Sequence, residues 1–168
     1  MHTLLVRRFL HQSTLLALML AGAACSRIEQ AVPRVPITTI TGQAMGAAQF
    51  QGRVTLVNFW ATTCDICVAE MPMLSDTWRQ FSPRGFDLVA VAMPYDRPDF
   101  VLDYANSRKL PFKVALDPQG EVSRAWPDVQ ATPTSFLVNR QGIIVKRYLG
   151  RPDAAQLRAD IEQWLAQG

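Results

Sequence analysis

Apolar residues along this chain of 168 residues fall into short segments with two distinct periods. "VTLVNFW" (54–60) and "FDLVAVAM" (86–93) are nearly continuous apolar and β-branched runs, as expected of strands buried on both faces. Between them, from Cys64 to Phe81, Ile66, Met71, Leu74, Trp78 and Phe81 recur at helical spacing, with a kink expected at Pro72. "RPDFVLDYANSRKL" (97–110) repeats that pattern through Phe100, Val101, Tyr104 and Leu110, with Pro98 near its start. "SFLVN" and "IIVKRYLG" flank Arg140-Gln141-Gly142, a hairpin signal with glycine at the turn. "PDAAQLRADIEQWLA" opens on Pro152 and Asp153 and carries Leu157, Ile161, Trp164 and Leu165 along one side of a helix. Ahead of all these, "ITTITG" and "QFQGR" read as a short strand, a turn and a loop. The order strand, helix, strand, helix, hairpin, helix predicts an α/β fold, a central mixed β-sheet with helices on both faces.

The N-terminus does not fit that pattern. Arg7 and Arg8 precede the apolar run "LLALMLAGAA", which ends in small residues at Cys25. A basic start, a short apolar stretch and a small-residue exit describe a secretory signal, and the run is too short for a convincing membrane span. Cleavage at Ala21-Gly22-Ala23 would leave Cys25 a free thiol. "LAGAAC" also resembles a bacterial lipoprotein signal, in which the cysteine is lipidated and becomes the first mature residue, although Gly22 stands where leucine is usual. "SRIEQAVPRVP" (26–36) is polar, with two prolines and no apolar period, and reads as a tether. The expected organisation is a signal over 1–24, a tether over 25–36 and one domain over 37–168.

Charge changes little. The whole chain carries a formal +3, but Arg7 and Arg8 belong to the signal and every acid lies beyond it, so the mature part carries +1. No basic run or aromatic-basic stripe indicates nucleic acid. Hydrophobic residues make up 49% of the chain, enough for one globular core, and a monomer is expected.

Candidate chemistry centres on "VNFWATTCDICVAEMP" (57–72), where Cys64 and Cys67 lie between a buried strand and a helix-compatible run. Structural zinc needs four ligands, yet the only histidines, His2 and His11, lie in the signal, and Cys25 is the only other cysteine. The same count excludes Ser-His-Asp and Cys-His hydrolase arrangements. A structural bridge across two residues would close a tiny loop and constrain little of the unfolded chain. Redox work remains. A cysteine at the first turn of a helix faces unpaired N–H groups and the positive end of the dipole, which stabilise a thiolate. A second cysteine three residues on is close enough to attack a mixed disulfide. Met71 and Met73 invite an alternative, a copper(I)-binding chaperone module built on thiolate and thioether sulfurs, although methionine on an apolar helix face is ordinarily packing. No resident metal or cofactor is expected.

"LVNFWATTCDICVAEMP" resembles the active-site segment of the thioredoxin superfamily, and most of all the exported, membrane-tethered TlpA/ResA/DsbE-type thiol-disulfide oxidoreductases, whose motif commonly reads WATWCxPC followed by a glutamate and a proline. "QATPTSFLVNRQGIIVKRYLG" resembles that family's cis-proline loop and following hairpin. The similarity spans about residues 37 to 166. It implies a thioredoxin fold in which Cys64 is the exposed nucleophile and Cys67 the resolving cysteine, with Thr132 and Pro133 on a loop that faces them and pairs with an extended client strand. Trp60 is read either as a wall of that site or as a core aromatic. The resemblance further implies a membrane thiol reductase as electron donor, and clients such as apocytochrome c or copper-centre assembly proteins, in a bacterial periplasm. A peroxidase is disfavoured, because Ala61 stands where a threonine would be needed.

This sequence also departs from the pattern. Thr63 replaces the usual tryptophan, Asp65-Ile66 lacks the proline before the second cysteine, Val68 replaces a common basic residue, and Asn58 stands where cytoplasmic thioredoxins have a buried aspartate. Asp65 and Glu70 are acids beside the cysteines with no basic residue between positions 53 and 79. Like charge raises a thiol pKa, so they are expected to weaken the thiolate and favour a reductant. Glu70, three residues after Cys67 on the same helix side, resembles the family's active-site glutamate and is a candidate proton acceptor for Cys67.

Overall fold

The computed structural model describes residues 30–167. Its centre is β4 (Val54–Trp60), buried at all seven positions because it has a strand on either side and packed layers above and below. β5 (Phe86–Ala92) runs parallel to it, with Asn58 opposite Ala90, and β7 (Thr134–Val138) antiparallel, with Asn58 opposite Ser135. β6 (Lys113–Leu116), β2 (Ile37–Thr39) and β3 (Ala44–Met45) extend one side, and β8 (Ile143–Leu149) and β1 (Gln30–Ala31) the other. The complete order is β1-β8-β7-β4-β5-β6-β2-β3, a mixed sheet.

Successive strand residues face opposite sides, so β4 divides its side chains between two cores. Leu56 and Trp60 join a cluster with Met71, Leu74 and Phe81 of α1 (Asp65–Phe81), Val101 of α2 (Pro98–Ser107) and Leu157 and Ile161 of α4 (Ala154–Ala166). Val57 and Phe59 face a second cluster with Phe50, Phe136, and Val122 and Trp126 of the α3 (Glu121–Ala125) region. Helices thus lie on both faces, but unequally, with the three longest on one. That follows from connection handedness: right-handed crossovers from β4 to β5 and from β5 to β6 put α1 and α2 on the same side.

Several elements were not apparent in the hydrophobic pattern. β6 has four residues and α3 five, too few for a period to show. α3 exists because the buried Asp117 accepts N–H bonds from Val122 (3.1 Å) and Ser123 (2.8 Å) at its start. The expected tether is corrected at its C-terminal end. Gln30 and Ala31 pair with Ile144 and Ile143, and the Val32 N–H donates to the Gly142 carbonyl (2.9 Å) with its side chain buried. An open edge of β8 recruits these residues, so Gln30 and Ala31 are part of the sheet. The expected signal and Cys25 lie outside the described residues. At the hairpin, Gly142 takes φ +73°, and the Asn139 side chain accepts from the Gln141 and Ile143 N–H groups, both at 3.0 Å.

Candidate active site

Strand β4 ends at Trp60, and the chain turns through Ala61-Thr62-Thr63 into α1. Cys64 is the N-cap of that helix: the Cys67 N–H donates to its sulfur at 3.2 Å, as a cap side chain does for the first free donors of a helix. Cys64 and Cys67 are joined in a disulfide, with Cα atoms 5.2 Å apart. Cys64 is half-buried, whereas Cys67, one turn in, is fully buried. The expected helix start is therefore right to within a residue, and it divides the pair into an accessible and a sheltered sulfur.

The loop before β7 closes over this corner. The Thr132-Pro133 peptide is cis, and the Thr132 carbonyl oxygen lies 3.7 Å from Cys64 Sγ. Gly150, just past β8, donates its N–H to the Pro133 carbonyl at 2.8 Å, tying the loop to the hairpin. A third element completes the rim and was missed in the sequence. After β5, Asp96 is buried and accepts from both the N–H and the hydroxyl of Thr62, each at 2.6 Å, while the Tyr95 hydroxyl is 3.2 Å from Thr132 Oγ1. The available signal was positional: polar side chains at the carboxyl end of a strand parallel to the one feeding the cysteines. Ile66, Tyr95 and Leu149 are large apolar side chains left exposed around this rim.

Beneath it lies Glu70, with no exposure to solvent. Asn58 on β4 donates through Nδ2 to Glu70 Oε1 (2.8 Å) and to Ser135 Oγ on β7 (2.9 Å), leaving Glu70 Oε2 and Asn58 Oδ1 without partners. Burial drives the Glu70 pKa up to about 7, against the lowering effects of the Asn58 bond and the Arg151 charge. The sequence neighbourhood showed no cation near the cysteines; Arg151 is brought there from beyond β8.

The remaining candidates separate. Trp60 is completely buried, packed against Tyr104 with ring centroids 5.3 Å apart. Asp65 is the exposed first residue of α1. Met71 and Met73 are packed in the core, and the Thr77 hydroxyl lies 3.8 Å from Met73 Sδ.

A family model described as Redoxin matches residues 28–164. The chain is 28% identical over 131 residues to the thiol-disulfide oxidoreductase ResA of Bacillus thuringiensis subsp. konkukian (strain 97-27), across 77% of this chain and 74% of that one. It is 28% identical over 155 residues to the sporulation thiol-disulfide oxidoreductase A of Bacillus subtilis (strain 168), across 89% and 93%. The solution structure of a thioredoxin-like protein from Neisseria meningitidis superposes with a TM-score of 0.76 at 34% identity, covering 85% of this chain and 93% of that one. The chain therefore belongs to the Redoxin family, and within the thioredoxin superfamily it is a TlpA/ResA/DsbE-like thiol-disulfide oxidoreductase.

Proposed function

We propose that the protein reduces disulfides of client proteins outside the cytoplasm, with Cys64 as nucleophile, Cys67 as resolving cysteine and Glu70 as the proton acceptor for Cys67. The observation that carries this reading is the asymmetry of the pair: a half-exposed sulfur accepting a helix N-terminal N–H, and a fully buried one on the next turn. The Cys64 thiolate attacks one sulfur of a client disulfide, that S–S bond breaks, and the other client sulfur leaves as a thiolate. Cys67 passes its proton to Glu70, its neighbour at i+3, and attacks Cys64 Sγ. The second client thiolate leaves, and the Cys64–Cys67 disulfide forms. Two electrons have moved from protein to client, and a dithiol donor at the membrane restores the pair.

Thr132 and Pro133 receive an extended client strand in this scheme, with Tyr95, Ile66 and Leu149 as flanking apolar contacts. The N-terminal signal and a lipid on Cys25 hold the domain at the outer face of the inner membrane. No helix among the described residues is long and apolar enough to cross a membrane. Clients in cytochrome c maturation or metal-centre assembly fit this assignment. The test is to express Cys67→Ala in the native compartment. Mixed disulfides through Cys64 that dissolve on reduction are expected, and mass spectrometry identifies the clients. Absence of trapped species with Cys67→Ala, or equal trapping by Cys64→Ala, overturns the assignment of roles.

A further inference from the structure

Glu70 and Asn58 leave an unusual residue of unsatisfied capacity. Both side chains are completely buried, yet each retains one oxygen with no hydrogen-bond partner, Glu70 Oε2 and Asn58 Oδ1. The Asn58 amide spends both of its N–H bonds, one on Glu70 Oε1 and one on the hydroxyl of Ser135, itself fully buried. Buried polar atoms without partners are costly, and each one in a native fold calls for a role or a second state.

A primary amide has two ends of nearly equal size, one donating and one accepting. A half-turn about its terminal bond exchanges them and displaces no neighbouring atom. In the present orientation the amide serves a charged carboxylate, which only accepts. After the half-turn, Oδ1 would accept from a Glu70 protonated on Oε1 and from the Ser135 hydroxyl, which then donates instead of accepting. The two N–H groups move to the place Oδ1 leaves and give up their acceptors. We propose that Asn58 is the positioning residue for Glu70 and turns over with each proton that Glu70 gains or loses, with Ser135 completing both orientations. The inference rests on the reading of Glu70 as proton acceptor for Cys67: the proton leaving the Cys67 thiol appears on Glu70, and the amide rotates to hold it. Neither alternative side chain would serve. Aspartate at 58 would set a like charge against Glu70, and leucine would leave both protonation states unpartnered.

The other groups that face this site are accounted for. Arg151, past β8, lowers the Glu70 pKa. Along the same row of the sheet, Ser135 stands opposite Tyr148 of β8, whose hydroxyl donates to Asp160 of α4 (2.7 Å). Asp160 is already engaged by Lys146 (2.5 Å) and Gln156 (3.0 Å), and burial together with that carboxylate holds the Tyr148 phenol protonated well above its ordinary range. On α1, Cys67 is tied up in the disulfide, so in the oxidised protein Glu70 titrates without it.

The test is a side-chain NMR titration of the oxidised, isotopically labelled protein, following the Glu70 carboxyl carbon and the two Asn58 amide protons together. As Glu70 takes up its proton, both amide resonances should move upfield with the Glu70 midpoint, because both N–H groups lose their acceptors. In Ser135→Ala only one of the two should move, and Ser135→Thr should restore the second. Amide protons that stay still through the Glu70 titration, or a single mobile resonance in the wild type, overturn the proposal. The proton-acceptor reading is tested apart from it. A pH profile of resolution unchanged in Glu70→Gln would remove that reading, while the amide titration still decides what Asn58 does.

Discussion

At the scale of single residues, the two cysteines differ by environment and not by chemistry. Cys64 Sγ is half-exposed and receives the Cys67 N–H, whereas Cys67, within α1, is fully buried. Thiolate character and access together set thiol reactivity. After reduction, Cys64 should therefore react with iodoacetamide ~10-fold or more faster than Cys67, read by quenched alkylation and peptide mass spectrometry. Equal rates would remove the basis for calling one the nucleophile. This distinction was legible in the sequence, because a cysteine between a buried strand and a helical period falls at a helix start. The partners of Glu70 were not. Asn58 lies 12 residues away in sequence and Ser135 a further 77 from Asn58, so only the pairing of β4 with β7 brings the three together.

The site is an assembly of strand ends. β4 and β5 are parallel neighbours, so the loops leaving Trp60 and Ala92 emerge side by side, and Asp96 on the second can grip Thr62 on the first. Hydrogen bonds to a charged group contribute about 1.5–3 kcal/mol each, less where the partners find water after the loss. Asp96→Ala should thus lower stability by about 2 kcal/mol in urea unfolding of the oxidised protein. It should also slow reduction of a model disulfide substrate, because the turn that aims Cys64 loses its anchor. A variant with unchanged unfolding midpoint and turnover would make the contact decorative. The sequence pattern found β4, α1, β5, α2, the hairpin and α4, all long enough to show a period. It missed β6, α3 and the pairing of β1, whose two to five residues are held by neighbours and by Asp117, not by any pattern of their own. Asp96 was missed for the same reason: in the sequence it is one polar residue in a loop, and its buried state depends on the parallel register of β4 and β5.

For the molecule as a whole, the buried carboxyl has a thermodynamic consequence. Glu70 is raised from an ordinary 4.5 to about 7 by burial, so the folded protein holds this proton more tightly than the unfolded chain. Between those values unfolding releases a proton, and stability falls as pH rises. The contribution is complete below the unfolded value of 4.5 and is lost as pH passes the folded value of about 7. A shift of that size corresponds to about 3 kcal/mol across the window, since each unit is worth about 1.4 kcal/mol. Glu70→Gln keeps the shape of the side chain and cannot ionise. Relative to the wild type, it should gain about 3 kcal/mol of stability on going from acidic to mildly alkaline conditions, compared in urea with the disulfide intact. Taking the difference between the two proteins cancels the titrations they share. If the difference does not change with pH, Glu70 does not titrate in the folded state where burial places it. If it changes as expected, the fold carries a carboxyl that weakens it above neutrality, a burden consistent with a group kept in place to accept and release a proton.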